Sequence, residues 1–333
     1  MELSTKYLGL KLKNPIIAGA SPLTSNLDSI KRLEDNGAAA IVMHSIFEEQ
    51  ITHEGEALEY FLEQGTNSFL ESQDFFPQIS SYENAEADQY LEEIAKIKMS
   101  VNIPVIASLN GASSSGWMKY AKKIEETGAD AIELNIAHVP ISLDMSAKDV
   151  EKLYIKDVKV VRENTKLPIS IKMSPNLSAP ANMAKKFKKA GVDGLVLFDR
   201  PTLVNIDLEE LRVEQTVNLS DSHALSESLR WSAILYNQLD LSLCASTGVH
   251  THLDILKAIM SGADCVQMVS ALLANKEVHV QNVLKDLTDW MQEKEYASIK
   301  MMKGSISHKH ADNPGAYERA SYMQALQSYR GYH

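Results

Sequence analysis

The sequence predicts an α/β fold, a TIM (β/α)8 barrel with long rim loops and a C-terminal helical extension. Three observations predict it. Short apolar runs recur along the chain, segments of helical periodicity separate them, and the two alternate eight times if the stretch after Val266 is counted. Near-continuous apolar strands joined by crossover helices imply a parallel sheet covered on its outer face, and eight of them close a barrel.

The strands open in two ways. One kind follows a proline: Asn14-Pro15 before IIAGA, Ile103-Pro104 before VIASL, Leu167-Pro168 before ISIKM. The other follows a glycine, in NGAAAIVMHS at Gly37, TGADAIELN at Gly128, AGVDGLVLF at Gly191 and SGADCVQMV at Gly262. A glycine there suits the left-handed residue that ends a helix. LSLCAS, Leu241 to Ser246, is a strand with neither signal. Helical periodicity marks Leu27 to Asn36, Tyr90 to Lys98, Trp117 to Thr127, Val150 to Asn164, Ala181 to Ala190 and Leu253 to Met260.

Two connections are too long for plain turns, Phe47 to Gln89 and Arg200 to Leu229. Both follow strands, so both belong on the C-terminal rim, where a loop of this length covers a site more often than it decorates one. The second contains LRVEQTVNLS, which fits a small hairpin. The division expected is a barrel over residues 1–295 and a helical extension over 296–333. That tail is rich in tyrosine and fits either a cap or a homodimer contact.

Composition narrows the partners. The chain has 333 residues, 44% hydrophobic and 23% charged, with a net charge of −11. That balance describes a globular protein and disfavours nucleic acid and acidic membrane surfaces. No run of about twenty apolar residues and no leader-like N-terminus occur, so the expectation is a cytoplasmic protein without a membrane span, acting on a small molecule. Cys244 and Cys265 fall in buried strands, and no cysteine cluster points to zinc or an iron–sulfur centre.

The site is sought at the strand ends. ADAIELNIAHVP is the most telling stretch: Glu133 and Asn135 lie two apart on one face of an apolar strand, and His138 follows on the loop. Buried polar groups of that kind cost several kcal/mol unless hydrogen-bonded. Other ends present Gly19 and Ala20, His44 and Ser45, Lys172, Asp199 with Arg200, Thr247 with Gly248, and Val269 with Ser270. Lys172 is read as a fixed positive charge beside a ligand that becomes anionic, against the plainer reading of a lysine that snorkels to the rim. The small residues of STGV and VSALL suit a phosphate held by backbone N–H groups. His250 and His252 are capping or surface groups, and with no third ligand nearby they make no metal site.

Taken together, NPIIAGAS, IPVIASLNG, GADAIELN, LPISIKMSPN, TGVHTHLD and GADCVQMVSALL resemble the dihydroorotate dehydrogenases, flavin-mononucleotide barrels of pyrimidine synthesis, over roughly residues 1–275. The ending, with KGSIS and ERASYMQALQSY, looks like a dihydroorotate dehydrogenase-like subgroup. The resemblance implies FMN over the strand ends. Gly19, Ala20, Ser45 and Asn135 would contact it, Lys172 would meet its N1–C2 edge, and Gly248, Val249, Val269 and Ser270 would hold its phosphate. Substrate would meet Asn67, Asn135, Asp199 and His44. The implied reaction removes two hydrogens across a CH–CH bond, with hydride passing to flavin N5. His138 stands where the family places a cysteine or serine base, and is the candidate base.

Departures cluster on the substrate side. Pro140 replaces a substrate-binding asparagine, His44 a lysine and Asp199 an asparagine. A carboxylate at 199 would repel that of orotate by about 1 kcal/mol or more, with Arg200 as an offset. Dihydroorotate is therefore the default substrate, and another dihydropyrimidine or cyclic amide the alternative. The electron acceptor is open, and no GxGxxG follows a strand to imply NAD. Two other readings stand beside this one: an FMN-binding barrel subunit with altered or lost turnover, and a phosphate-binding aldolase or isomerase barrel with Lys172 as a Schiff-base lysine.

Overall fold

The structure is a computed structural model and describes residues 1–47, 85–111, 117–136, 138–200, 203–216 and 218–318. Eight parallel strands close into a barrel: β3 (Ile16–Ala18), β4 (Ala40–Phe47), β5 (Val105–Gly111), β6 (Ala131–Ile136), β7 (Ile169–Met173), β8 (Gly194–Leu197), β11 (Ser242–Ala245) and β12 (Cys265–Met268), which pairs back onto β3. These are the strands the sequence predicts, in the predicted order.

Helices α1 (Leu27–Asp35), α2 (Ala85–Lys98), α3 (Trp117–Glu126), α4 (Ala147–Asn164), α5 (Pro180–Ala190), α6 (Ser226–Leu235), α7 (His252–Ser261), α8 (Ser270–Asn275) and α9 (His279–Glu293) follow in chain order. Their ends obey local chemistry. Asn26 caps α1 by accepting from the N–H groups of Asp28 and Ser29, and Thr251 and Asp254 form a reciprocal capping box on α7. Gly37, Gly128, Gly191 and Gly262 all adopt positive φ where a helix turns into the next strand. Each sits where the sequence reads a helix stop.

Besides α8 and α9, which the sequence counts only as the stretch after Val266, two elements escape the sequence reading. The first is an N-terminal hairpin, β1 (Thr5–Tyr7) with β2 (Leu10–Leu12). It closes the floor of the barrel, with Thr5 Oγ1 donating to the Asp264 carbonyl at 2.8 Å and Leu8 N–H to Ser242 Oγ at 3.0 Å. Strands this short carry almost no periodicity, and only burial of Tyr7, Leu8 and Leu12 reveals their role. The second is α6, inside and beyond the long connection after β8. That connection also holds the hairpin β9 (Leu203–Asp207) and β10 (Arg212–Thr216), in which Ile206 pairs with Val213. The expected hairpin segment is its second strand. The other long connection, 48–84, lies outside the described residues.

The lumen is divided by the two-residue period of its strands. Tyr7, Ile17, Val42, Ile106, Ala131, Val196, Cys244 and Cys265 form an apolar lower cluster, in which both cysteines are free thiols. One pleat further along the strands the positions turn polar with Ser108, Glu133, Ser170 and Gln267, and Lys172 follows one pleat above Ser170. The barrel is thus greasy at its floor and charged under its mouth. From 299 the chain runs back beneath the barrel, where Gly304 N–H donates to the Ile259 carbonyl and Gly304 lies against the Tyr236 ring.

Candidate active site

A cavity of about 240 Å³ opens at the C-terminal ends of β7, β8, β11 and β12. Lys172, Ala20, Gly248, Val249, Val269 and Ser270 line it together. The single charge expected from ISIKM and the small turn expected from STGV therefore face one mouth.

Glu133 is fully buried, and Lys172 Nζ stands 2.9 Å from its Oε1. The two form a buried ion pair. The other carboxylate oxygen, Oε2, accepts from Gln267 Nε2. Burial alone would lower the Lys172 pKa. The Glu133 carboxylate, with help from Asp199, outweighs burial and holds the ammonium above its ordinary range. Asp199 is the reverse case. Burial pushes its carboxyl up, and Lys172, the Arg200 N–H and the Asn135 side chain pull it only part of the way back.

The turn after β11 is tightly specified. Thr247 and Gly248 both have positive φ, 66° and 85°, and Thr247 Oγ1 donates to the Phe198 carbonyl at 3.1 Å. A Cβ on Gly248 would stand 2.4 Å from Leu225 N, so only glycine fits. Ser220 reaches this turn from the connection after β10. Its N–H donates to Ser270 Oγ at 3.0 Å, and its Oγ accepts from Gly248 N–H at 3.3 Å. Arg200 donates to the Asn218 carbonyl on the same loop and supplies the fixed positive charge of this corner. Backbone donors, hydroxyls and a guanidinium around a small-residue turn are the chemistry that binds a phosphate.

The remaining predicted residues are placed as follows. Gly19 packs against the cavity from β3, where a Cβ would stand 2.7 Å from Val269 Cγ2. Ser45 Oγ and Ser108 Oγ share a hydrogen bond of 2.8 Å across β4 and β5. The β4–β5 pairing is irregular between Val42 and Ser45. His44 is directed at the Tyr90 ring, edge to face at 5.2 Å, with Glu93 3.9 Å away, and is not among the cavity-lining residues. His138 is held from α4 and is not itself among the cavity-lining residues: Nε2 lies 2.8 Å from Asp157 Oδ2, and the ring meets Tyr154 edge to face at 5.0 Å. Asn67 lies outside the described residues.

Gln267 and Ser220 line the mouth without being singled out by the sequence, although Ser220 belongs to the long connection that the sequence places over the site. Gln267 was findable, since it alternates with Cys265 and Val269 on one face of an apolar strand. Ser220 gives no such signal, because a hairpin brings it in from elsewhere. Two buried acceptors, Gln267 Oε1 in the cavity lining and Asn135 Oδ1 on β6 outside it, find no hydrogen-bond partner among the described residues. An unpaired buried acceptor costs about 1–3 kcal/mol, and a ligand N–H would relieve it. Among the described residues no group of three His, Cys, Asp or Glu side chains could hold a metal ion, and no helix is long and apolar enough to cross a membrane.

Fold and mouth together define the class: a parallel (β/α)8 barrel with a buried ion cluster and a phosphate-type turn at the rim where barrel enzymes place their chemistry. A family model described as dihydroorotate dehydrogenase matches residues 2–291, and the chain belongs to that family. It is 26% identical over 309 residues to the catalytic subunit of dihydroorotate dehydrogenase B (NAD(+)) of Thermoplasma acidophilum, covering 91% of this chain and 98% of that one. It is 22% identical to the chloroplastic dihydropyrimidine dehydrogenase (NADP(+)) of Arabidopsis thaliana, covering 91% of this chain and 76% of the relative. Identity is also 22%, with the same coverage, to a subunit of the NAD-dependent dihydropyrimidine dehydrogenase of Escherichia coli.

Proposed function

We propose that this chain is an FMN-dependent oxidoreductase that oxidises the CH–CH bond of dihydroorotate or a related dihydropyrimidine. The observation that carries the reading is the convergence of Lys172, Gly248 and Ser270 on one cavity. The residues present fit FMN. Gln267 Oε1 is a buried acceptor in need of an N–H donor, and the Gly248, Ser220 and Ser270 corner with Arg200 suits the phosphate. When bound, FMN supplies the two-electron acceptor for hydride.

The chain's own groups then have definite tasks. Lys172, kept charged by Glu133, would hold a preorganised positive charge beside the flavin and favour electron uptake by it. Val269, Gly19 and Ala20 offer a close, apolar wall from the ends of β3 and β12. His138 is the proposed base. With Nε2–H donated to Asp157, Nδ1 is the nitrogen left to take a proton from carbon. Residues 1–295 serve as the cofactor-binding barrel, and 296–333 as its extension. Relatives named as catalytic subunits support a partner protein as the route by which electrons leave.

A Schiff-base role for Lys172 fits poorly, because that chemistry needs a neutral amine and Glu133 favours the ammonium. The test is anaerobic mixing of the yellow protein with a panel of dihydropyrimidines, read by flavin absorbance. Bleaching by at least one member is expected. A colourless protein after reconstitution with FMN would overturn the reading, and a yellow protein that no member bleaches would favour a binding subunit without turnover.

A further inference from the structure

The charge inside the mouth has a sign. Glu133 and Lys172 neutralise one another at 2.9 Å. Asp199 is then a second, half-buried carboxylate in the cavity lining, with no cation within ion-pair distance among the described residues. Lys172 acts on it only through space, and the Arg200 N–H and the Asn135 side chain are its polar partners. Among the described residues Arg200 carries the remaining positive charge at the mouth, but its side chain is exposed and its guanidinium donates to the Asn218 carbonyl, on the Ser220 side. Tyr154 also faces Asp199, and a tyrosine adds no positive charge. Glu133, Lys172 and Asp199 together carry one negative charge in a region of low dielectric.

Beside that carboxylate, the Asn135 side chain turns its amide toward Asp199 and leaves Oδ1 buried without a partner. The two groups are therefore acceptors. A ligand that satisfies them presents N–H donors and carries no negative charge at this position.

We propose that Asp199 selects against carboxylate-bearing substrates, and that the chain's own substrate is an uncharged cyclic ureide, a dihydropyrimidine base without a ring carboxylate. Its N–H groups are received by Asp199 and Asn135. This inference rests on the oxidoreductase reading above and narrows its substrate class. Nothing in it needs a change of chemistry: the same two hydrogens leave the same CH–CH bond, one as a proton to the base and one as hydride to the flavin.

The test uses the flavin-loaded full chain, with a binding arm and a turnover arm. In the binding arm, uracil and orotate are titrated as product probes and followed by thermal shift and flavin difference spectra. In the turnover arm, dihydrouracil and dihydroorotate are mixed anaerobically with wild type and Asp199→Asn, a variant that removes the charge at constant shape. Wild type is expected to bind uracil at least tenfold more tightly than orotate, and Asp199→Asn to shift the ratio at least tenfold toward orotate. Flavin content reports that the variant is folded. Wild type preferring orotate, neither probe binding, or a ratio that moves less than twofold in Asp199→Asn would each overturn the proposal. Probes that bind as expected with no bleaching by either dihydropyrimidine would leave the pocket's selectivity standing and remove the dehydrogenase reading instead.

Discussion

His138 Nε2 and Asp157 Oδ2 stand 2.8 Å apart, joining the loop after β6 to the middle of α4, and both side chains are nearly enclosed. A carboxylate at this distance fixes the tautomer with the proton on Nε2 and orients the ring, as it does for catalytic and metal-bound histidines. If His138 is the base, its partner matters to the rate without touching substrate.

The first prediction follows from that pair. His138→Ala should slow flavin reduction by about 10²-fold or more, the usual worth of a positioned base, with flavin content unchanged. Asp157→Asn should slow it less, because the ring loses the carboxylate that orients it. Stopped-flow reduction measures both. Unchanged kinetics in His138→Ala would remove the residue from the chemistry, and unchanged kinetics in Asp157→Asn would reduce that contact to packing.

Lys172 and Glu133 give a second prediction. A buried pair broken from one side costs about 3–5 kcal/mol, because the remaining charge is stranded. Lys172→Met should therefore destabilise strongly, and adding Glu133→Gln should recover a large part of the loss. The sign with pH is set by the raised lysine pKa. The stabilisation is fully present below the unfolded value of 10.5 and is lost as pH climbs through the higher folded value. Chemical denaturation of wild type, Lys172→Met, Glu133→Gln and the double variant, followed at pH 7 and above pH 10.5, tests this. A loss in the double variant equal to the sum of the two single losses would mean that the pair is not coupled.

The barrel itself was legible because it repeats. A proline or a glycine before each of most strands, and the 3.6-residue period between them, are local signals that eight copies reinforce. Lys172, Gly248 and Ser270 were legible for a related reason, since strand ends of one parallel barrel must share a rim. The orientation of single side chains was not. His44 and His138 both stand at strand ends by sequence, yet His44 turns onto Tyr90 and Glu93, and His138 onto Asp157 and Tyr154. Those partners sit on α2 and α4, and no spacing along one strand encodes which way a ring will face across a helix. Ser220 itself was out of reach for another reason. It enters the site through a hairpin whose first strand, LVNID, reads as an ordinary polar-apolar mixture.

Asp199 allows a stability test separate from its role in selection. Its carboxyl pKa is raised chiefly by burial. The sign is then the opposite of a salt-bridged aspartate: the favourable contribution is present below the unfolded value of 3.8 and is lost as pH rises through the folded value. At pH 7 the native protein carries the cost of charging this group, so Asp199→Asn should melt higher than wild type, on the order of 2 °C for about 1 kcal/mol in a domain of this size. The gap should narrow as the pH is lowered through the folded value toward 3.8. Scanning calorimetry at several pH values decides it, and a gap that widens on acidification would show that Asp199 is stabilised as the anion.

Gly248 and Gly128 form a matched pair for the last prediction. Both have positive φ, 85° and 82°, so alanine at either carries the same conformational penalty, roughly 1 kcal/mol or more. Their surroundings differ. A Cβ at 128 meets nothing within 4 Å, whereas at 248 it would stand 2.4 Å from Leu225 N and 2.9 Å from the Asp221 carbonyl oxygen. Those atoms are backbone of the segment that follows Ser220, so they cannot swing aside as a side chain would. Gly128→Ala should therefore lose stability modestly and keep its flavin. Gly248→Ala should lose more, because it displaces the Ser220 loop from the turn, and it should release flavin on dialysis as the phosphate corner opens. Melting temperature and bound-flavin absorbance separate the two effects. Full flavin retention in a folded Gly248→Ala would place the phosphate elsewhere on the rim.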